Sequence, residues 1–265
     1  MSDSKRLLLD LEPHGPDVYV GESPDYPWGR IYGGLVVAQA LKAAGLTVDP
    51  GYAVHSLHSY FILGGVPTEP VRYEVDRIRN GRSFTTRRVV ARQSGGAILN
   101  LSASFHVAEE GVDVQQPDMP AVPGPEGLES LAWGEAMDAR IALVDRGTAR
   151  SVVWARYPEV LPEDPLEQAC AFAYMSDANP MDAIEAGHPE PPADGEWHGW
   201  YMNASLDHSI WFHRGFDAGD WLLFDMRSQG LVGNRGLAFG SVFTSDGRLV
   251  ASIAQEGLLR RVRPR

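Results

Sequence analysis

The chain of 265 residues carries 23 basic and 35 acidic residues, so its formal net charge at pH 7 is −12. Hydrophobic residues make up 44% and charged residues 22% of the chain, which is typical of globular proteins and excludes a disordered, collagen-like or coiled-coil chain. Because a strongly acidic protein is repelled by phosphate groups, neither nucleic acid nor an anionic membrane is an expected partner.

The chain has one cysteine, Cys170, which cannot form an internal disulfide or a cysteine-based zinc site. It lies in an apolar stretch, so we interpret it as a core residue rather than a nucleophile. The apolar run Leu7-Leu8-Leu9 is too short for a signal peptide or a membrane span. We therefore expect a reduced, cytoplasmic, soluble protein that uses no metal ion and no cofactor.

The first half is predicted to form one helix followed by four strands. The pair Gly33-Gly34 precedes an apolar run from Leu35 to Ala44, which ends at Gly45. Apolar residues cover nearly every side of this run, which is typical of a buried helix. Alternating or β-branched residues then predict strands at 53–63, 69–79, 83–93 and 96–108.

Prolines are concentrated at 117–125, which predicts a linker because proline cannot pair inside a sheet. We expect an N-terminal domain at 1–116, a proline-rich linker at 117–148 and a C-terminal domain at 149–265.

The second half repeats the order of the first. Asp164-Pro165-Leu166-Glu167 predicts a helix start, with a capping side chain, a proline at the first helical position and a glutamate in the first turn. Asn179-Pro180 is expected to stop this helix. Strands are predicted at 198–213, 220–230, 234–244 and 248–260.

Local sequences of the two halves also echo each other, at 55–61 and 205–212 and at 91–99 and 243–251. A buried helix followed by an antiparallel meander, present twice, predicts an α+β duplication. The alternative is two unrelated α+β domains that share turn chemistry.

Motifs along nearly the whole chain resemble those of a known family. They are Arg30-Ile-Tyr-Gly-Gly34, Ala38-Gln-Ala-Leu41, His55-Ser-Leu-His-Ser-Tyr-Phe61, Gly81-Arg-Ser-Phe-Thr-Thr-Arg-Arg-Val89, Leu206-Asp-His-Ser-Ile-Trp-Phe-His-Arg214, Trp221-Leu-Leu-Phe224, Asp246-Gly247 and Gln255-Glu-Gly257. In this order they resemble acyl-CoA thioesterase II, the TesB-like family. The resemblance implies a double hotdog, in which two antiparallel sheets each wrap around a central helix and pair side by side.

The resemblance also implies an activity, the hydrolysis of fatty acyl-CoA in fatty acid metabolism. In the family the attacking water molecule is held by an aspartate, a hydroxyl and a glutamine amide. The resemblance matches these groups to Asp177, Ser205 and Gln255. Asp177 closes the second helix, where the helix dipole disfavours a carboxylate and should raise its pKa. Gln255 is in phase with an apolar strand face and should point inward. Ser205 lies on the polar face of the predicted strand 198–213, which either lines a cleft or contacts water.

From the residues alone, purely structural roles remain open as alternatives. Asp177 could be a solvated helix end, and Gln255 a core amide bonded to backbone. The matching first-half position is Ala103, which carries no amide, so we expect one site per chain, in the second half. Gly33 and Gly34 are expected to bring backbone N–H groups close to the substrate.

The phosphates of CoA require local cations, and we expect Arg87 and Arg88 to provide them; the alternative is a solvated strand face. Two other activities remain open, an acyl-CoA hydratase or dehydratase, which usually needs an Asp/His pair, and a non-catalytic acyl-CoA binder. By analogy with hotdog proteins we expect a homo-oligomer, either a dimer or a tetramer.

Overall fold

The computed structural model describes residues 8–131, 137–193, 197 and 199–262. Within these residues the chain forms fourteen strands and three helices. In chain order they are β1 (Glu12–Pro13), β2 (Val18–Gly21), α1 (Gly33–Gly45), β3 (Tyr52–Phe61), β4 (Val71–Asn80), β5 (Phe84–Gln93), β6 (Gly96–Val107), β7 (Ser130–Leu131), β8 (Asp138–Asp145), β9 (Arg150–Arg156), α2 (Pro165–Ser176), α3 (Asn179–Ala186), β10 (Tyr201–Ser205), β11 (Asp207–Phe212), β12 (Leu222–Val232), β13 (Arg235–Thr244) and β14 (Leu249–Arg261).

The strands form one continuous antiparallel sheet, in the order β1-β2-β4-β5-β6-β3-β11-β14-β13-β12-β9-β8-β7, and β10 also pairs with β14. The two halves of the chain meet where β3 pairs with β11, which places Leu57 opposite Ile210. The halves are therefore joined edge to edge by backbone hydrogen bonds. A large antiparallel sheet with few helices fits a double hotdog.

The helix α1 is buried from Gly34 to Ala44, as its apolar sequence predicts. It packs antiparallel against α2, so that Gly45 contacts Leu166 at the start of α2 and Gly34 contacts Tyr174 near its end. A Cβ atom on Gly34 would lie 2.3 Å from the Tyr174 carbonyl oxygen. Glycine is therefore required for the two helices to approach each other at this end.

The helix α2 begins as predicted, because the Asp164 side chain accepts a hydrogen bond of 2.9 Å from the Leu166 N–H and Pro165 occupies the first turn. It ends at Ser176, before Asn179-Pro180. The short helix α3, which the sequence analysis does not predict, begins at Asn179 because proline is tolerated in a first helical turn.

The four first-half strands are confirmed as β3 to β6. The region 117–148, predicted as a linker, contains β8, which pairs with β9 and extends the C-terminal part of the sheet. The single strand predicted at 198–213 is divided at Leu206, whose N–H donates to the Glu256 carbonyl and whose carbonyl accepts from the Phe61 N–H. Among the described residues no helix has the length and hydrophobicity that a bilayer span requires.

Candidate active site

Asp177, at the C-cap of α2, is buried, with 4% of its surface exposed. Its Oδ1 atom accepts a hydrogen bond of 2.8 Å from the Ser205 hydroxyl. Its carboxylate also accepts one from the Gly34 backbone N–H, at the start of α1. The carboxylate therefore lies where the end of α2 meets the start of α1.

Gln255, on β14, is fully buried, so the prediction that it points inward is confirmed. Its side-chain nitrogen donates to Ser205 Oγ at 3.0 Å and to the backbone carbonyl of Asp177 at 3.2 Å. Ser205 thus accepts from the amide and donates to the carboxylate. The three side chains named from the sequence converge on one point.

The division of the strand at Leu206 explains how Ser205 reaches this point. In β10, Ser205 lies opposite Gly257 and shares the inner face with the buried Tyr201, whereas Met202 is exposed. Of the two alternatives that the sequence left open for Ser205, a cleft or water, this position fits the cleft. At the break Asp207 Oδ1 accepts from the Glu256 N–H, and β11 resumes in the opposite phase, with His208 and Ile210 buried.

The Asp177 pKa is raised to about 6, mainly because burial disfavours the charged carboxylate. The hydrogen bonds from Ser205, Gly34 and Gln255 act in the opposite direction and lower it. The predicted direction of the shift is therefore confirmed, but its main cause is desolvation and not the dipole of α2. Such a carboxyl group is poised to take up and release a proton near neutral pH.

The first half of the chain contributes to the site through Gly33 and Gly34. A Cβ atom on Gly33 would lie 2.6 Å from Asp177 Oδ2 and 2.9 Å from Phe61 Cε1. Only glycine therefore allows the start of α1 to approach the carboxylate so closely. The three side chains belong to the second half, as expected, but the site itself lies between the halves.

The two arginines expected to contact CoA lie elsewhere. Arg87 is buried, with 1% exposed, and its guanidinium donates to Thr47 Oγ1 at 2.7 Å and to the Thr47 carbonyl at 2.9 Å. This position corrects the expectation that Arg87 meets a nucleotide phosphate, because its donors are used inside the protein. Arg88 is exposed on β5 and paired with Asp76.

Sequence reasoning missed a second layer of polar groups. His208, on β11, is fully buried and contacts both Gln255 and Ser176. The signal was present, because His208 is in phase with the apolar Ile210 and Phe212, just as Gln255 is in phase with its own apolar row. A further arginine, Arg30, is exposed beside β10 and donates to the Asn203 carbonyl at 3.3 Å.

Two carboxyl groups with raised pKa values lie on α3, the helix that follows Asp177 in the chain. Burial raises the Asp182 pKa to about 7. The Glu185 pKa is raised to about 8 by burial and then by the charge of Asp182. The part of the chain that the structure describes holds no cluster of three or more histidine, cysteine or acidic side chains that could bind a metal ion.

Two family models match the sequence, an acyl-CoA thioesterase model at residues 128–258 and an acyl-CoA thioesterase N-terminal domain model at 23–106. Acyl-CoA thioesterase 2 of Haemophilus influenzae is 34% identical over 278 residues, with 96% of both chains covered. Acyl-coenzyme A thioesterase 8 of Homo sapiens is also 34% identical, over 96% of this chain and 88% of the human protein.

Solved structures agree with these matches. The acyl-CoA thioesterase II TesB2 of Mycobacterium marinum superposes with a TM-score of 0.84 at 41% identity, covering 98% of this chain and 99% of its own. A protein with a hot dog fold from Alicyclobacillus acidocaldarius, 18% identical and fully covered, shares the fold with a TM-score of 0.80. The chain belongs to the acyl-CoA thioesterase II (TesB-like) family, whose members are thioester hydrolases.

Proposed function

We propose that this protein hydrolyses fatty acyl-CoA to a free fatty acid and CoA, with Asp177, Ser205 and Gln255 activating a water molecule. The observation that carries the proposal is the convergence of a buried carboxylate, a hydroxyl and an amide within hydrogen-bonding distance of one another. The family relationship supports the reaction class.

Thioester hydrolysis suits this set of groups. The leaving thiolate has a conjugate acid with a pKa near 8.5, so its departure needs little acid assistance. The reaction chiefly requires an oriented, activated water and donors for the developing oxyanion. Ser205 and Gln255 hold the water against the carboxylate of Asp177.

In the proposed reaction, Asp177 accepts a proton from water as the water oxygen bonds to the thioester carbonyl carbon. The carbon–sulfur bond then breaks with its electron pair going to sulfur, and the CoA thiolate takes up the proton that Asp177 accepted, which restores the carboxylate. The first turn of α1 is suited to bind the oxyanion. In that turn Leu35 and Val36 donate to the Tyr32 carbonyl and Gly34 donates to Asp177. We therefore assign the oxyanion contact to the Gly33 N–H.

The start of α1 also indicates which arginine could contact the CoA part of the substrate. Arg87 is buried and Arg88 is ion-paired, so Arg30 is the better candidate to contact CoA. It is three residues from Gly33 and exposed beside β10. We propose that Arg30 contacts a phosphate group of CoA, where its planar guanidinium can bind two oxygens.

A hydratase is less well supported, because it needs a histidine that exchanges protons with substrate. Both ring nitrogens of the buried His208 are engaged, one with Gln255 and one with Ser176. Burial lowers the His208 pKa to about 4, so this ring is neutral at pH 7. It supports the amide rather than the reaction.

The test is release of free CoA thiol from acyl-CoA substrates of increasing chain length. Asp177→Asn, Ser205→Ala and Gln255→Ala should each lower kcat about 100-fold or more. Ser209→Ala is the matched control, because its hydroxyl bonds His58 instead of the site and should leave kcat unchanged.

Three results would overturn the proposal. The first is full thiol release by the folded Asp177 variant. The second is binding of acyl-CoA without thiol release, which indicates a non-catalytic binder. The third is water addition to an enoyl-CoA with no thiol release, which indicates a hydratase.

A further inference from the structure

We propose that His208 is a positioning residue that fixes the amide of Gln255, so that its NH₂ group and not its oxygen faces Ser205 and Asp177. The inference rests on the proposed function, since it gives His208 a role in holding the hydrolytic water.

Hydrogen bonds connect His208 to both walls of the site. The distance from its Nδ1 atom to Gln255 Oε1 is 2.6 Å, and that from its Nε2 atom to Ser176 Oγ is 2.8 Å. Ser176 directly precedes Asp177, and Ser59, from β3, donates to the His208 carbonyl at 3.0 Å. The imidazole therefore bridges the end of α2 and β14 at the junction of the two halves.

The order of donors and acceptors sets the amide orientation. The Asp177 carbonyl can only accept, so the atom of Gln255 that lies 3.2 Å from it must be the nitrogen. The amide oxygen then faces His208 and also can only accept. His208 Nδ1 must therefore carry the proton that it donates to Oε1.

The directions of the other hydrogen bonds follow from the position of this proton. A neutral imidazole with its proton on Nδ1 has an acceptor at Nε2. The Ser176 hydroxyl has one proton and two acceptors in reach, the Ala173 carbonyl at 3.1 Å and Nε2 at 2.8 Å, and we infer that it donates to the closer Nε2. The hydrogen bonds then run in one direction, from Ser176 through His208 and Gln255 to Ser205 and on to the carboxylate of Asp177. If the amide were reversed, its oxygen would face the Asp177 carbonyl and repel it.

The burial of the network makes His208 hard to replace. Ser176, His208 and Gln255 all have 0% of their surface exposed. Water cannot easily supply the donor that Gln255 Oε1 would lose, and a buried acceptor without a donor is unfavourable. Without the imidazole the amide would lose the contact that holds its nitrogen toward Ser205.

The inference can be tested with two substitutions. His208→Leu removes the donor, and we expect kcat to fall on the order of 10- to 100-fold with KM nearly unchanged, because misplacement of a catalytic group chiefly affects turnover. His208→Asn places an N–H near the position of Nδ1 and should restore most of kcat. His213→Leu is the control, because it removes a histidine–serine bond of 2.8 Å between the segment after β11 and β14 outside the site.

Equal loss of kcat in the Leu and Asn variants would overturn the inference, as would full activity of a folded Leu variant. A second measurement needs neither folding of a variant nor activity. Nitrogen-15 NMR of histidine-labelled wild-type protein should show the His208 ring neutral at pH 7 with its proton on Nδ1. A proton on Nε2 contradicts the inference even if the enzyme hydrolyses acyl-CoA. An Nδ1 proton in a protein that releases no thiol refutes only the proposed function.

Discussion

Acidification below about pH 6 should inactivate hydrolysis, because Asp177 must be ionised to accept a proton from water. Its pKa is raised from an ordinary value of 3.8 to about 6 by burial. Roughly 9% of such a carboxyl is ionised at pH 5, whereas an ordinary aspartate is still roughly 94% ionised. We therefore expect kcat/KM to fall about tenfold per pH unit below pH 6.

The fall of kcat/KM below pH 6 forms the acidic limb of the pH profile, and the pH at which this limb begins should depend on Ser205. The Ser205 hydroxyl donates to the Asp177 carboxylate and lowers its pKa. Ser205→Ala should therefore move the limb to higher pH, in addition to lowering the rate at high pH. Asp182→Asn and Glu185→Gln are the controls, because burial raises the pKa of these carboxyls on α3 to about 7 and about 8, and their removal should leave the limb at pH 6 in place.

The assay is initial-rate thiol release between pH 4.5 and 8.5, with a thiol reagent that reacts in acid and with circular dichroism at each pH to exclude unfolding. Activity that stays level down to pH 5 would refute Asp177 as the base. A limb that disappears in the Asp182 variant would reassign it to that residue.

Three further predictions use the same region. Asp177→Asn should raise the free energy of unfolding by up to about 3 kcal/mol at pH 8. The pKa of Asp177 is about 6 in the folded protein and 3.8 when unfolded, so its ionisation destabilises the folded state as the pH rises through this range. Denaturant unfolding should show that the gain vanishes near pH 4. Gly33→Ala should lower kcat on the order of 100-fold, since its Cβ would displace the carboxylate, whereas Gly95→Ala, in open space, should not change kcat. Burial raises the pKa of the Cys170 thiol, so iodoacetamide should leave activity intact and mass spectrometry should find this thiol modified only after unfolding.

Much of the fold is predictable because its signals are local. The helix start at Asp164 needs only a capping side chain and a proline, and both act within one turn. Gln255 could be placed inward because β14 keeps the period of two along its length. The functional roles of the three site residues came from the family resemblance and stay predictions until variants are measured.

What the sequence could not provide depends on distant partners. Nothing local marks Leu206 as a strand break, because the break is made by bonds to Glu256 on β14 and Phe61 on β3. Side chains alternate between the two faces of a strand, so one continuous strand would place Ser205 and His208 on opposite faces. Only the break at Leu206 brings both to the inner face. Likewise, Arg87 resembles a surface cation in sequence, and only the fold brings Thr47 to it.

The duplicated fold offers a second place for a site, where α1 ends and α2 begins, but the residues there do not present the same groups. At the first place, the Gly34 N–H is directed at the carboxylate of Asp177. At the second place, Pro165 has no N–H and the Leu166 N–H is bound by the Asp164 side chain. The Leu166 side chain also fills the space beside Gly45.

The sheet beneath this second place is equally unsuited to hydrolysis. Ala103, the first-half counterpart of Gln255, lies opposite Arg87, whose guanidinium bonds Thr47 just after the end of α1. A fixed positive group therefore stands near the place where a general base would be needed. Replacing Ala103 with glutamine should not create a second site, because Pro165 has no N–H and the Leu166 and Gln168 N–H groups already donate to Asp164. In the proposed mechanism one half therefore supplies the reactive side chains, and the other supplies the helix start that binds the oxyanion.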